Sequence, residues 1–342
     1  MNIAIIGHFG GDEKFYDGQT IKTIELYDAL IDTDQNVDKV DTYYIKRNPF
    51  KFIGMFVHSL FKDKKYILLV SNKGRRVLFP ILMFLSKHFD KDVYHYAIGG
   101  RLALEVRDNP KYKKYISSFK GNWMESRQLV YDLKKLGVNN VIYLPNFKKI
   151  KILDIDSLKA DYKEPYRFCT FSRVMKEKGI EDAIKAINDV NDLYGRKIVS
   201  LDIYGVVEEE YFEHLKTLLN DSCKFCGAVD SSESIEILKN YYALLFPSYW
   251  DGEGMPGTII DSLSAGLPVI ARRWKYCDEM LDDGVTAYIY DFNKPELLKE
   301  KIAYSIEHVD NTISMKRNCL DKAKEYSADI VVKEIVNELE KE

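Results

Sequence analysis

The chain of 342 residues carries only five cysteines, at 169, 223, 226, 277 and 319. An odd, scattered set does not make a disulfide framework, and it points to a reducing compartment. Cys223-Lys224-Phe225-Cys226 stands alone, without a second pair or a nearby histidine, so no zinc site is expected there. Long apolar runs are missing too. The main charge-free apolar runs, 52–61 and 77–86, fall far short of the ~20 residues of a spanning helix. No basic segment precedes the opening Met1-Asn2-Ile3-Ala4-Ile5-Ile6-Gly7, which reads as a strand entering a glycine turn and not as a secretory leader. These absences lead to the expectation of a cytoplasmic protein. Internal repeats and low-complexity segments are also missing.

What is present is an ordinary globular composition, 46% hydrophobic and 30% charged, at a length that favours two domains. The 24 tyrosines suit packing, and they also suit a surface on which sugars or bases stack. The net charge of −3 hides an asymmetry. Residues 1–150 hold 25 Lys and Arg against 16 Asp and Glu, and the remainder holds 25 against 37. A basic half of this kind implies an anionic partner.

Apolar strand-like runs alternate with helical patterns throughout. In the first half, strands are expected at about 2–7, 40–45, 66–71, 93–98 and 140–144. In the second half they are expected at about 167–172, 198–204, 223–226, 242–247, 267–271 and 286–290. Helical segments such as 20–30 and 181–194 fall between them, and the chain from 294 onward is expected to be helical. Strands separated by helices imply βαβ units and parallel sheets, and the near-continuous apolar character of the strands implies cover on both faces. A break near Pro145-Asn146 and a polar, lysine-rich stretch divide the chain. The expected units are a domain at 1–150, a linker at 151–165, a domain at 166–325 and a C-terminal helix at 326–342 that packs back on the first domain. Ligands of open parallel sheets bind beyond the carboxyl ends of the strands.

Two segments carry chemistry. In Pro247-Ser-Tyr-Trp-Asp-Gly-Glu253-Gly254-Met255-Pro256-Gly257-Thr258-Ile-Ile-Asp261, a strand ends in a polar loop and a helix begins near Pro256. The free N–H groups near Gly257 and Thr258 make an anion site, and Glu253 and Asp261 can reach two parts of one extended ligand. In Phe168-Cys-Thr-Phe-Ser172-Arg173-Val-Met-Lys176-Glu-Lys178-Gly179, three cations follow a strand and can neutralise a diphosphate. The same patterns also fit an ordinary βα loop with a capping acid and a solvated basic loop. Ile6-Gly7-His8-Phe9-Gly10-Gly11 is not G-x-G-x-x-G, and the second strand, read as 40–45, runs into Lys46-Arg47 without an acid, which argues against a nicotinamide dehydrogenase.

Ser172-Arg173 with Lys178-Gly179, then Glu253-Gly254-Met255-Pro256 with a second acid eight residues on, resemble the C-terminal domain of the family 4 glycosyltransferases. Phe225-Cys-Gly227, Pro247-Ser248 and Asp282-Asp-Gly284 follow in the same order, so the likeness covers about 166–292 and is weaker before that. The second acid is Asp261 where the family usually has Glu. The resemblance implies an α/β protein of two Rossmann-like parallel-sheet domains facing a central cleft, the GT-B fold. It implies a retaining, nucleotide-sugar-dependent glycosyltransferase, with UDP-sugar as the expected donor. In such an enzyme Arg173 and Lys178 hold the diphosphate, Glu253 contacts the donor sugar, and the backbone of Gly254, Met255, Pro256, Gly257 and Thr258 binds the sugar or distal phosphate. Asp261 takes the ribose, the Gly10-Gly11 loop lets a diphosphate approach, and His95 faces the donor sugar or is a structural side chain. Cations do the work of a metal, so no metal or other cofactor is expected; Asp251-Gly-Glu253 only imitates a metal-binding D-x-D.

The implied setting is bacterial surface polysaccharide assembly. Its partners are a nucleotide-sugar donor, a glycan or lipid-linked acceptor and an anionic membrane surface, with no nucleic acid. The membrane expectation rests on residues 50–91, which interleave apolar runs with nine Lys and Arg against Asp63 and Asp90. Phe52, Phe56, Leu60 and Phe61 are expected to share one helical face, giving a cytoplasmic protein peripheral on the plasma membrane. The competing readings are a sugar-nucleotide epimerase of the same fold, a phosphorylase and a catalytically silent binding paralogue.

Overall fold

The computed structural model describes residues 1–149, 151–159 and 161–341. It divides into two compact units, Met1–Lys149 with Ser327–Glu342, and Ile150–Tyr326. The first holds six parallel strands: β1 (Asn2–Gly7), β2 (Asn36–Asp41), β3 (Lys65–Leu69), β4 (Asp92–Tyr96), β5 (Gly121–Met124) and β6 (Val141–Tyr143). Their spatial order is β2-β1-β3-β4-β5-β6. Chain order therefore reverses between β1 and β3. Ile3, Ala4, Ile5 and Ile6 of β1 are all fully buried, as a strand covered on both faces must be.

Two strands differ from the sequence expectation. The second was expected at 40–45 and lies at Asn36–Asp41, while Tyr44–Arg47 is a single helical turn. β2 is an edge strand of alternating polar character, so the apolar run that follows it outweighs it in a reading by hydrophobicity. As a result Asp41, an acid, does end β2, contrary to the expected run into Lys46-Arg47. β5 was not expected at all: it is four residues long and begins Gly-Asn, and Asn122 is buried because its amide donates to Ile116 O and Asn140 O.

The C-terminal helix Ala328–Glu340 belongs to the first unit. Its Val331, Val332, Ile335 and Leu339 enter one core with Ile3, Ile5, Leu26, Tyr94, Tyr96 and Trp123. Lys65 Nζ donates to the carbonyl of Leu339 in its last turn, where the helix dipole favours a cation.

Two other helices turn apolar side chains outward. On Pro49–Lys62 the exposed residues are Phe50, Ile53, Val57 and Phe61, spaced by three and four and so on one face. The expected face of Phe52, Phe56 and Leu60 is the half-buried side; of that set only Phe61 is exposed. On Asn72–His88, Leu78, Phe79, Leu82 and Leu85 are buried, while Val77, Ile81 and Phe84 are exposed.

The second unit holds β7 (Tyr166–Phe171), β8 (Val199–Tyr204), β9 (Cys223–Gly227), β10 (Ala243–Phe246), β11 (Val269–Arg272) and β12 (Ala287–Tyr290). They form a parallel sheet of order β12-β11-β10-β7-β8-β9. The reversal falls between β7 and β10. The helix Ile180–Tyr194 packs Ala183, Ile184, Ile187 and Val190 into the core with Phe168, Leu201 and Tyr242.

Ile335 is completely buried in the first unit. Ile335→Ala should lower the stability of that unit by about 2–5 kcal/mol. Urea unfolding followed by a probe on the first unit measures this; an unchanged midpoint would show that the C-terminal helix does not anchor the core.

Candidate functional site

The two strands at the reversal of the second sheet each feed a loop at their carboxyl ends. After β7 the chain passes Ser172 and Arg173, makes a short 3-10 turn over Lys176–Lys178, and enters Ile180–Tyr194 through Gly179. Gly179 has φ +69°, and a Cβ there would lie 2.3 Å from the Pro247 carbonyl oxygen. Only glycine lets this turn lie against the loop that follows β10. Tyr249 N donates to Glu177 O at 2.9 Å and fastens the two loops further.

Lys178 and Glu253 meet as a result. Lys178 Nζ lies 2.7 Å from Glu253 Oε2, and their side chains are 12% and 10% exposed. Ser248 Oγ donates to the same oxygen at 2.7 Å. Both partners bind Oε2, so Oε1 stays available. Trp274 Nε1 donates to Gly254 O at 3.0 Å and pins the end of the loop. Ser248 and Trp274 were not singled out from sequence; neither is ionisable, and each acts only through a neighbour.

The helix Gly257–Ser264 begins after Pro256, which supplies no side-chain cap, so the first N–H groups remain open to an anion. Thr258 Oγ1 donates to Phe171 O at 2.5 Å and ties this helix N-terminus to β7. Gly254, Pro256, Gly257 and Thr258 are half-buried, whereas Met255 is buried. Arg173 is exposed, and among the described residues no carboxylate pairs with it. Asp261 has only 4% of its surface exposed, so a ligand can reach it only along that edge. Lys178, Glu253 and the N-terminus of Gly257–Ser264 thus come together at the carboxyl ends of β7 and β10, and Arg173 follows β7 at the same edge. They combine cations for a diphosphate with a carboxylate for a hydroxyl.

Other expected residues lie elsewhere. His95, expected either to face the donor sugar or to be a structural side chain, is fully buried on β4, an interior strand. Its ring meets Phe79 edge-on at 5.0 Å, and neither ring nitrogen has a hydrogen-bond partner. Burial, with the Arg75 guanidinium nearby, holds its pKa well below the usual range. A neutral ring sealed in the core cannot contact a donor, so His95 is corrected to a core residue.

Gly10 and Gly11 have a conformational reason to be glycine. Their φ values are +90° and +58°, and Cβ atoms there would meet Glu13 O and the Tyr43 ring, so conformation alone demands glycine. Asp41 takes the amides of Phe9 and Gly11 at 2.9 and 2.8 Å. The loop therefore encloses a carboxylate of the protein itself, which repels a diphosphate. Cys223 and Cys226 are three residues apart on β9, one buried and one exposed, on opposite faces of the strand. Among the described residues, no group of three His, Cys, Asp or Glu converges as a metal-ligand set.

The family described as "Glycosyl transferases group 1" matches residues 154–325, which contain the whole of this cluster. An uncharacterized glycosyltransferase of Methanocaldococcus jannaschii is 30% identical over 167 residues, 47% of this chain and 41% of that one. The amylovoran biosynthesis glycosyltransferase AmsK of Erwinia amylovora is 23% identical over 256 residues, 64% of this chain and 62% of that one. The match thus spans less than two thirds of either relative. Among solved structures, Anabaena HepE in complex with UDP and glucose matches with a TM-score of 0.73 at 13% identity, over 99% of each chain. That likeness is one of fold, GT-B.

Removing one member of a nearly buried ion pair costs about 3–5 kcal/mol, because the other charge is left unpaired. Lys178→Met should therefore destabilise the second unit by that order. Adding Glu253→Gln should restore most of the loss, since a neutral amide still hydrogen-bonds Ser248. Denaturant unfolding of the single and double variants measures the coupling; simple additivity would mean that the pair contributes nothing.

Proposed function

The chain belongs to the glycosyl transferases of group 1, and from that premise we propose that it moves a sugar from a UDP-sugar to a glycan or lipid-linked acceptor with retention at the anomeric carbon. The reading rests on the cluster at the carboxyl ends of β7 and β10, the crevice where open parallel sheets take their ligands. Arg173 and Lys178 hold the diphosphate, joined by the N–H groups at Gly257 and Thr258. Glu253 Oε1 accepts from a hydroxyl of the donor sugar while Lys178 and Ser248 fix its other oxygen. Asp261 receives the ribose along its exposed edge.

When the bond from the anomeric carbon to the phosphate breaks, charge grows on the leaving diphosphate. Lys178, Arg173 and the helix N-terminus lie on the loops at that edge, and preorganised groups of this kind stabilise a transition state without a metal. The departing phosphate oxygen accepts the acceptor proton. UDP and glucose bound by HepE support the donor class, and the amylovoran biosynthesis role in the name of AmsK supports surface polysaccharide assembly. A panel of sugar nucleotides with glycan and lipid-linked acceptors tests this, read as UDP release that requires acceptor. Turnover should persist in excess EDTA. Arg173→Ala and Glu253→Gln should each lower kcat by about 10²–10³. Folded variants that both stay within about threefold of wild type would overturn the assignment, and acceptor-independent conversion would favour an epimerase.

The reading includes docking on an anionic membrane, supported by the outward faces of Pro49–Lys62 and Asn72–His88. Phe50 and Phe61 are 86% and 89% exposed, and Lys73, Arg76 and Lys87 are exposed with no acidic partner among the described residues. Apolar side chains flanked by unpaired cations suit a helix lying in a bilayer interface. Arg75 is not among these cations, since it is buried against Glu105 and Ile98 O. Co-sedimentation with phosphatidylglycerol vesicles should fall at least tenfold for Phe50→Ser/Phe61→Ser and for Lys73/Arg76/Lys87→Glu, given roughly 1 kcal/mol per cation. Wild-type binding that ignores lipid charge and salt would refute the docking.

A further inference from the structure

His8 follows β1 directly, at the reversal of the first sheet, where β1 lies between β2 and β3. This is the position at which an open parallel sheet binds its ligand. The ring is held on three sides. Phe15 and Tyr43 stand edge-on to it, with centroids 4.8 and 5.9 Å away. Nδ1 lies 2.7 Å from Thr20 Oγ1, and Thr20 itself is 1% exposed.

The hydrogen-bond chain fixes the tautomer. Thr20 Oγ1 donates its one proton to Asp17 Oδ2 at 2.7 Å. Asp17 is bound in turn, because its Oδ1 accepts from Gln19 N and Thr20 N as the N-cap of Gly18–Ile31. The threonine hydroxyl can therefore face His8 only with a lone pair, so Nδ1 carries the ring proton in the neutral histidine. Nε2 is left with its lone pair, on a half-buried ring and without a hydrogen-bond partner among the described residues.

The surroundings indicate what Nε2 meets. Asp17 and Asp41 are carboxylates, and Asp41 occupies the amides of the adjoining loop. The cation beside Tyr43, Arg47, is itself paired with Glu13, so Asp17 and Asp41 leave this edge unsuited to an anion. A neutral ligand rich in hydroxyls, lying against aromatic edges, suits it.

We propose that His8 is an acceptor-side binding residue, whose Nε2 accepts a hydrogen bond from a hydroxyl of the sugar acceptor while Thr20 and Asp17 hold the ring in the required tautomer. The identity of the ligand as an acceptor rests on the glycosyl-transfer reading. The relay does not, and the test separates the two.

Ring ¹⁵N spectra of histidine-labelled protein report the tautomer and the contact. Wild type should show His8 protonated at Nδ1, and Thr20→Val, which keeps the shape and loses the hydroxyl, should lose that preference. Methyl glycosides of glucose, galactose and N-acetylglucosamine are then titrated. At least one should shift the His8 Nε2 resonance. His8→Asn, which can still donate to Thr20, should weaken that glycoside about tenfold, the loss expected for one hydrogen bond, and leave UDP affinity within twofold. A wild-type ring in the other tautomer overturns the proposal. So do three glycosides that leave Nε2 unmoved, or a His8→Asn protein that loses UDP and glycoside equally. If glycosides bind through His8 but no sugar nucleotide is turned over, the binding site stands and the transfer reading fails. If transfer proceeds and His8→Asn leaves the acceptor KM unchanged, transfer stands and this site falls.

Discussion

Lys178 and Glu253 are 75 residues apart and meet at 2.7 Å because β7 and β10 are neighbours. That adjacency is the constraint from which the rest of the second unit follows. The chain builds β7, β8 and β9 outward in one direction, returns to lay β10 beside β7, and continues the other way. The helices that follow β7 and β10 then start side by side, and their loops must share the space above the sheet edge. Gly179 makes this possible by letting backbone meet backbone at the Pro247 carbonyl, and Thr258 locks the second helix start to the end of β7. A nearly dry ion pair gains little net energy, because desolvation offsets attraction. Its value is positional: Lys178 and Ser248 anchor one oxygen of Glu253.

The first unit has the same reversal, between β1 and β3, with opposite chemistry at its edge. There the glycine loop closes around Asp41, and Asp17 caps the first helix and orients Thr20. Deeper in the same unit, Lys22 is buried against Glu125 with its ammonium over the Tyr96 ring at 3.4 Å. Burial lowers the lysine pKa, and Glu125 opposes that shift. The many cations of this half are thus neutralised inside or spread on outer helices. At the edge itself Arg47 lies over the Tyr43 ring and is paired with Glu13. The edge of the second sheet thus carries Lys178 and a helix N-terminus, and that of the first carries Asp17, Asp41 and the His8 ring.

The outward apolar faces follow from how helices pack on a sheet. Pro49–Lys62 buries Ser59 and half-buries Phe52, Phe56 and Leu60, so its inner side is satisfied by modest contacts. Phe50 and Phe61 gain nothing from the fold itself. Large apolar side chains left in water cost stability in proportion to their area, and their presence on one stripe calls for a partner that removes them from water.

The sequence by itself determined the architecture and placed Arg173, Lys178 and Glu253 on the loops that follow β7 and β10. Continuous apolar strands spaced by helices can only make doubly covered parallel sheets. Arg173, Lys178, Glu253 and the glycine-proline helix start lie within short local segments whose order survives in the linear chain. Tertiary structure alone decided what depends on registry and facing. His95 sits in a strand whose neighbours bury it, and nothing local distinguishes an inward histidine from one at the edge. Asp41 was hidden because an edge strand of alternating polarity gives a weaker signal than the aromatic run after it. β5 is hidden in the sequence because it is four residues long and opens Gly-Asn, and the Asn122 amide donates to carbonyls brought from elsewhere. The Pro49–Lys62 helix reads as amphipathic on either side, and only its contact with the sheet selects which stripe meets solvent. The tautomer of His8 likewise needed three residues in space, since a ring proton is placed by its hydrogen-bond partner and not by the residues beside it in the chain.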